Sequence, residues 1–81
     1  MTEDELRKVW ADRATKHLLG KTIAHVRYLS DEERDAMGWY SSALVIFFTD
    51  GSHIFPSQDD EGNDAGALFT SFDDLDTIPV I

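Results

Sequence analysis

Leu44-Val45-Ile46-Phe47-Phe48-Thr49-Asp50-Gly51-Ser52-His53-Ile54-Phe55-Pro56 decides the fold. Two runs of β-branched and aromatic residues flank Asp50-Gly51. Both turn positions tolerate positive φ, which suits a two-residue hairpin loop of the type I′ kind. The pattern predicts strands over 42–49 and 52–56. Thr49 then faces Ser52, Phe48 faces His53, Phe47 faces Ile54, Ile46 faces Phe55 and Val45 faces Pro56. One face of this hairpin carries Leu44, Ile46, Phe48, His53 and Phe55. The other carries Val45, Phe47, Ile54 and Pro56. A sheet with one wet face alternates polar and apolar residues; here both faces are apolar and both need cover. Pro56 lacks an amide proton and fits a strand end or an edge.

Upstream, residues 2–19 read as a helix. Thr2 and Glu5 have capping-box spacing, and Glu3 and Asp4 suit the positive end of the helix dipole. Glu3–Arg7, Asp4–Lys8 and Asp12–Lys16 are i,i+4 pairs in the favourable order. Leu6, Val9, Trp10, Ala14, His17 and Leu18 make one apolar stripe, which predicts a helix packed on the sheet. Gly20 is placed to end the helix in the left-handed region. Residues 21–29 read as a strand whose apolar members fail to alternate, which predicts a bulge near Ala24-His25. Ser30 and Glu33 repeat the capping-box spacing, and Gly38 closes a short helix over 31–37.

Downstream, an acidic loop spans 57–65. Residues 66–70 read as a fourth strand, and 71–75 as one helical turn capped by Ser71. Ile78-Pro79-Val80-Ile81 is an apolar tail, expected to dock on an open sheet face. The expected fold is α+β, a single domain over residues 1–81. An N-terminal helix packs on a three- to four-stranded antiparallel sheet, with a short helix between the first two strands. The remaining face is left for the short helix, the tail or a second copy of the chain, so a homo-oligomer stays among the expectations.

Charge divides the chain. All 7 Lys and Arg fall at or before Arg34, where 7 acids balance them; Asp35 onward holds 9 acids and no base, so the formal charge of −9 belongs to the second half. Such a surface offers no cations to a nucleic acid or an anionic membrane, so neither is an expected partner. It suits a basic protein partner or, otherwise, plain solubility. With no cysteine, disulfides and thiolate chemistry are excluded. No apolar run is long enough to span a bilayer. The acidic start, Met1-Thr2-Glu3-Asp4-Glu5, is unlike a secretory signal or a transit peptide, and predicts a cytoplasmic location.

Chemistry-bearing residue types concentrate in the loop. Asp59, Asp60, Glu61, Asn63 and Asp64 are hard oxygen ligands, and Gly62 permits a sharp turn. The EF-hand pattern fails in each frame. Starting at Asp59 puts Asp64 where glycine is required; starting at Ser57 puts Leu68 where the bidentate Glu belongs. A divalent-metal or small-ligand site of another kind stays open. So does a turn whose Asp and Asn side chains bond their own backbone. The loop has no Lys and repels phosphate. His17, His25 and His53 form no zinc-spaced cluster, no Gly-x-Ser-x-Gly elbow occurs, and no cofactor is implied. Trp39-Tyr40 reads either as an interface anchor or, for Trp39, as the closing residue of the core.

At Gly38-Trp39, Leu44-Val45-Ile46, Asp50-Gly51 and Pro56-Ser57-Gln58-Asp59-Asp60-Glu61-Gly62-Asn63-Asp64-Ala65-Gly66-Ala67-Leu68 the chain resembles a group of small uncharacterised bacterial proteins. The resemblance covers roughly residues 20–81. It implies that the loop is a family feature and assigns no substrate, cofactor or catalytic residue. The expected function is a non-enzymatic interaction module, with Trp39, Tyr40, Asp59, Asp60, Glu61 and Asp64 meeting a basic protein. Metal or small-ligand binding through Asp59 to Asp64 is the second reading, and an enzyme of unknown class the third.

Overall fold

A computed structural model describes all residues, Met1–Ile81. The order is α1 (Glu3–Leu18), β1 (Ile23–Tyr28), α2 (Asp31–Ala36), β2 (Leu44–Phe48), β3 (His53–Ile54), β4 (Leu68–Phe72) and β5 (Leu75–Ile78). Strands β1-β2-β3 form one antiparallel sheet and β4-β5 a separate two-stranded one. The fold is α+β.

Local signals act as the sequence dictates at both helix starts. The Thr2 hydroxyl accepts the Glu5 amide at 3.1 Å. The Glu5 carboxylate meets that hydroxyl, also at 3.1 Å, so the return bond to the Thr2 amide is not made. At α2 the box is complete: Ser30 Oγ accepts the Glu33 amide at 3.2 Å, and Glu33 Oε1 accepts the Ser30 amide at 2.8 Å. Gly20 and Gly38 follow their helices with φ of 78° and 74°. On α1, Glu3–Arg7 forms as expected at 3.4 Å, but Lys8 turns forward to Asp12 at 3.0 Å instead of back to Asp4.

The hairpin register differs from expectation by one residue. Phe47 pairs with His53 and Ile46 with Ile54. The Gly51 amide donates to the Phe48 carbonyl at 3.1 Å, and the Phe48 amide to the Ser52 carbonyl at 2.9 Å. The loop is therefore Thr49-Asp50-Gly51, a three-residue turn closed by Gly51 at φ 89°. An αL glycine after a tight turn serves this loop as well as the shorter one. Its Asp50 side chain accepts the Ser52 amide at 2.9 Å and pairs with Lys21. Those contacts favour the longer loop.

A one-residue slip exchanges the faces of a strand. His25, Arg27, Val45, Phe47, His53 and Phe55 now share one face, and Ile23, Val26, Tyr28, Leu44, Ile46, Phe48 and Ile54 the other. The bulge expected at Ala24 is present: Ile23 pairs with Phe48 and His25 with Phe47, leaving Ala24 unpaired. The core lies on the first face, where Leu29, Trp39, Ala43, Val45 and Ala65 are buried and Phe47 and Phe55 pack against them.

Further expectations fail. The residues 71–75 form no helical turn; they make the β4–β5 hairpin, with Phe72 paired to Leu75 across Asp73-Asp74. The Thr70 hydroxyl closes it by accepting the Phe72 amide at 3.1 Å. Ser71 is thereby drawn into β4. Nor does α1 pack on the sheet. None of its side chains is buried, and Leu6, Val9, Trp10 and Leu18 lie exposed along it. The tail is anchored, but at the sheet's end. Tyr28 Oη donates to the Pro79 carbonyl at 2.7 Å, and the Ile81 amide to the Ser42 carbonyl at 3.0 Å.

Candidate functional site

The loop 57–66 is built from its own backbone. Pro56 leads the chain out of β3, and the Gly66 amide returns to the Pro56 carbonyl at 3.0 Å. Ser57 and Ala65 form an antiparallel bridge at its neck. Gly66 is required there. A Cβ at this position would sit 2.8 Å from both the Ser57 carbonyl carbon and its oxygen. Inside the neck, Asp59 Oδ1 accepts the Glu61 and Asn63 amides at 3.0 and 3.2 Å, and Oδ2 accepts the Asn63 side-chain amide at 2.8 Å. Gly62 turns the chain at φ 72°. The Asn63 side chain, followed by its backbone amide, holds the Asp59 carboxyl below the usual carboxylate range.

Two contacts fasten this loop to the core. The Trp39 indole Nε1–H donates to the Gly62 carbonyl at 2.6 Å. Asp64 Oδ1 accepts the Ala65 amide at 2.8 Å and the Ser41 amide at 3.1 Å. Those amides, Ala65 first, keep the Asp64 carboxyl low. Behind them, Trp39 meets Phe55 edge-on with centroids 5.8 Å apart. An acidic segment carried on a buried aromatic residue is fixed in shape without needing a ligand to order it.

The candidate residues thus separate into two sets. Trp39, at 6 % exposure, belongs to the core, which corrects its placement as an interface anchor. Asp59 commits both carboxylate oxygens, and Asp64 its Oδ1, to amides of the chain. Asp60 and Glu61 stand on the exposed crest, and Tyr40, beside the Asp64 latch, is 91 % exposed. The Asp59 oxygens face N–H donors, and Asn63 presents its own N–H to them. That is the self-bonded turn anticipated from the Asp and Asn content. No three Asp, Glu or His side chains converge anywhere as cation ligands.

A second feature escapes sequence reading because it depends on the corrected register. His25 and His53 flank Phe47 on neighbouring strands, with ring centroids 6.0 and 5.7 Å from it. His53 stacks on Phe55 at 5.9 Å with planes 7° apart. Arg27 lies over Phe47 at 5.0 Å and grips Glu33 of α2 by two hydrogen bonds of 2.7 and 3.2 Å. The result is an aromatic strip beside Ala36 and Met37, with a shallow apolar concavity between helix and sheet. Glu33 and His53 both line this concavity, and Arg27 holds the Glu33 carboxylate. No helix is long and apolar enough to cross a membrane.

No family model matches the chain, and no curated protein or solved structure matches it.

Proposed function

We propose that the protein is a non-enzymatic interaction module that presents Asp60, Glu61 and Tyr40 to a basic protein surface. One observation carries this reading: the acidic crest is held in one shape by Trp39–Gly62 and Asp64–Ser41 and has no cation of its own. A charged loop that is already ordered loses little conformational entropy on binding. Its charge steers a cationic partner from beyond contact distance, and the exposed Tyr40 ring adds apolar area next to that charge.

The test is a titration of a lysine-rich peptide followed by backbone amide shifts. Saturable shifts at Tyr40, Asp60 and Glu61 that shrink as salt rises support the proposal. Shifts spread evenly over all acidic segments would sink it. A parallel calcium titration separates the metal reading. Saturable shifts confined to Asp59 through Asp64 would require the Asp59 turn to reopen and would replace the protein-partner reading.

A further inference from the structure

We propose that a second copy of this chain covers the exposed stripe of α1 and the outer face of the β1-β2-β3 sheet, forming a two-fold dimer. The surface area carries the inference first. The chain exposes 6361 Å² for 9.2 kDa. A folded monomer of that mass exposes about 4,900 Å². About 1,400 Å² per chain is therefore in excess, and twice that falls within the range of obligate homodimers, about 2,000–5,000 Å². Shape agrees with area. The radius of gyration is 14.4 Å, against about 12 Å for a domain of this length.

Much of the exposed apolar surface lies on α1 and the outer sheet face; a third group, Phe69, Phe72 and Leu75 of the β4–β5 hairpin, stands beside Asp73, Asp74 and Asp76. On α1, Leu6, Val9, Trp10 and Leu18 are 47, 40, 59 and 40 % exposed, at helical spacing. On the outer sheet face, Ile23, Val26 and Ile54 are 57, 48 and 43 % exposed. A helix of 16 residues is marginal in water without packing, and no side chain of α1 is buried by its own chain. Helix stripe and sheet face are the two complementary halves that a layered fold brings together. An isologous contact supplies both at once: α1 of each protomer lies on the sheet of its partner.

Charge selects the second copy as occupant. Residues 1–34 hold 7 acids and 7 bases, so two copies meet through this half without net repulsion. Within the second half, β2 and β3 carry no acidic residue, whereas self-contact through the acidic loop or the Asp73-Asp74 turn would be opposed by their charge. The dimer leaves Asp60 and Glu61 free, so it stands independently of the proposed basic partner.

Sedimentation equilibrium of the intact chain at micromolar concentration tests this. The expected mass is twice 9.2 kDa, with a melting temperature that rises with concentration. Trp10→Glu alters a side chain that the single chain leaves exposed, and should return the mass to that of one chain. If that variant fails to fold, the wild-type protein still decides. In a sample mixing labelled and unlabelled chains, contacts between the Trp10 indole and the Val26 or Ile54 methyls should be intermolecular. A monomeric wild-type mass with a concentration-independent melt would overturn the proposal. So would intramolecular contacts between those residues, or a dimer untouched by Trp10→Glu.

Discussion

The Trp39 indole Nε1–H meets the Gly62 carbonyl at 2.6 Å and so ties the acidic loop to the core. The ring that fills the space beside Phe55 is also the ring that fixes the loop's crest. Loop shape and core packing therefore change together. Replacing Trp39 with Phe keeps much of the apolar volume but leaves that carbonyl without its donor. The expected loss is about 1 kcal/mol from the hydrogen bond, with some further loss from the smaller ring. Amide exchange at Glu61 to Asn63 should quicken more than exchange in β1 and β2. Uniform quickening across the chain would mean that the bond has no local role.

Gly66→Ala should be costlier than a loop substitution normally is. The new methyl would meet Ser57 backbone atoms at 2.8 Å, and backbone cannot swing aside as a side-chain end can. Overpacking of this kind costs about 1–3 kcal/mol. A drop in melting temperature with loss of the Ser57–Ala65 pairing, seen in amide shifts, is the expected outcome. An unchanged melt would show that the neck yields easily.

Gly51→Val tests the turn that sets the hairpin. At φ 89° a β-branched side chain is strained. The expected destabilisation is about 1–2 kcal/mol in a denaturant melt. A variant as stable as the wild type would show that the turn relaxes to another geometry.

Acid should loosen α2 from the sheet. Hydrogen bonds from Arg27, then from Ser30, lower the Glu33 carboxyl from 4.5 to about 2. A carboxyl depressed by folding contributes stability above its unfolded value, and the contribution is lost as pH falls through the folded one. Stability should therefore decline between about pH 4.5 and 2. In Glu33→Gln this part of the decline should be absent, with lower stability at neutral pH. Parallel melting curves for the two proteins across that window would show that the pair has no linkage to folding.

Much of the fold was legible because it is local. Thr2, Ser30, Gly20 and Gly38 mark helix ends by their own chemistry, and the failed alternation around Ala24 exposes the bulge. The hairpin register was not legible. Asp50-Gly51 satisfies two loops equally, and the Lys21 contact that favours the longer one comes from a distant part of the chain. That single step displaced His53 from its place beside Phe47. The β4–β5 hairpin was hidden by Ser71 and Asp74, whose spacing imitates a helix cap. The α1 helix was legible but its packing on the sheet was not: its apolar stripe lies exposed, and a stripe does not name what covers it. In the loop, the residue types foretold a self-bonded turn. For Trp39 the core reading is borne out over the interface-anchor one, while nothing local fixed the outward direction of Tyr40.

The most direct test of the central claim is charge placement. Association of a lysine-rich peptide, followed by fluorescence anisotropy, is compared at low salt and at physiological ionic strength, where the Debye length is about 8 Å. Asp60→Asn with Glu61→Gln removes two charges from the loop crest. Asp73→Asn with Asp74→Asn removes two from the β4–β5 turn, which is equally exposed. The account predicts several-fold weaker association for the loop pair, little change for the turn pair, and convergence of all proteins as salt rises. Equal loss from both pairs, or no loss from the loop pair, would contradict it.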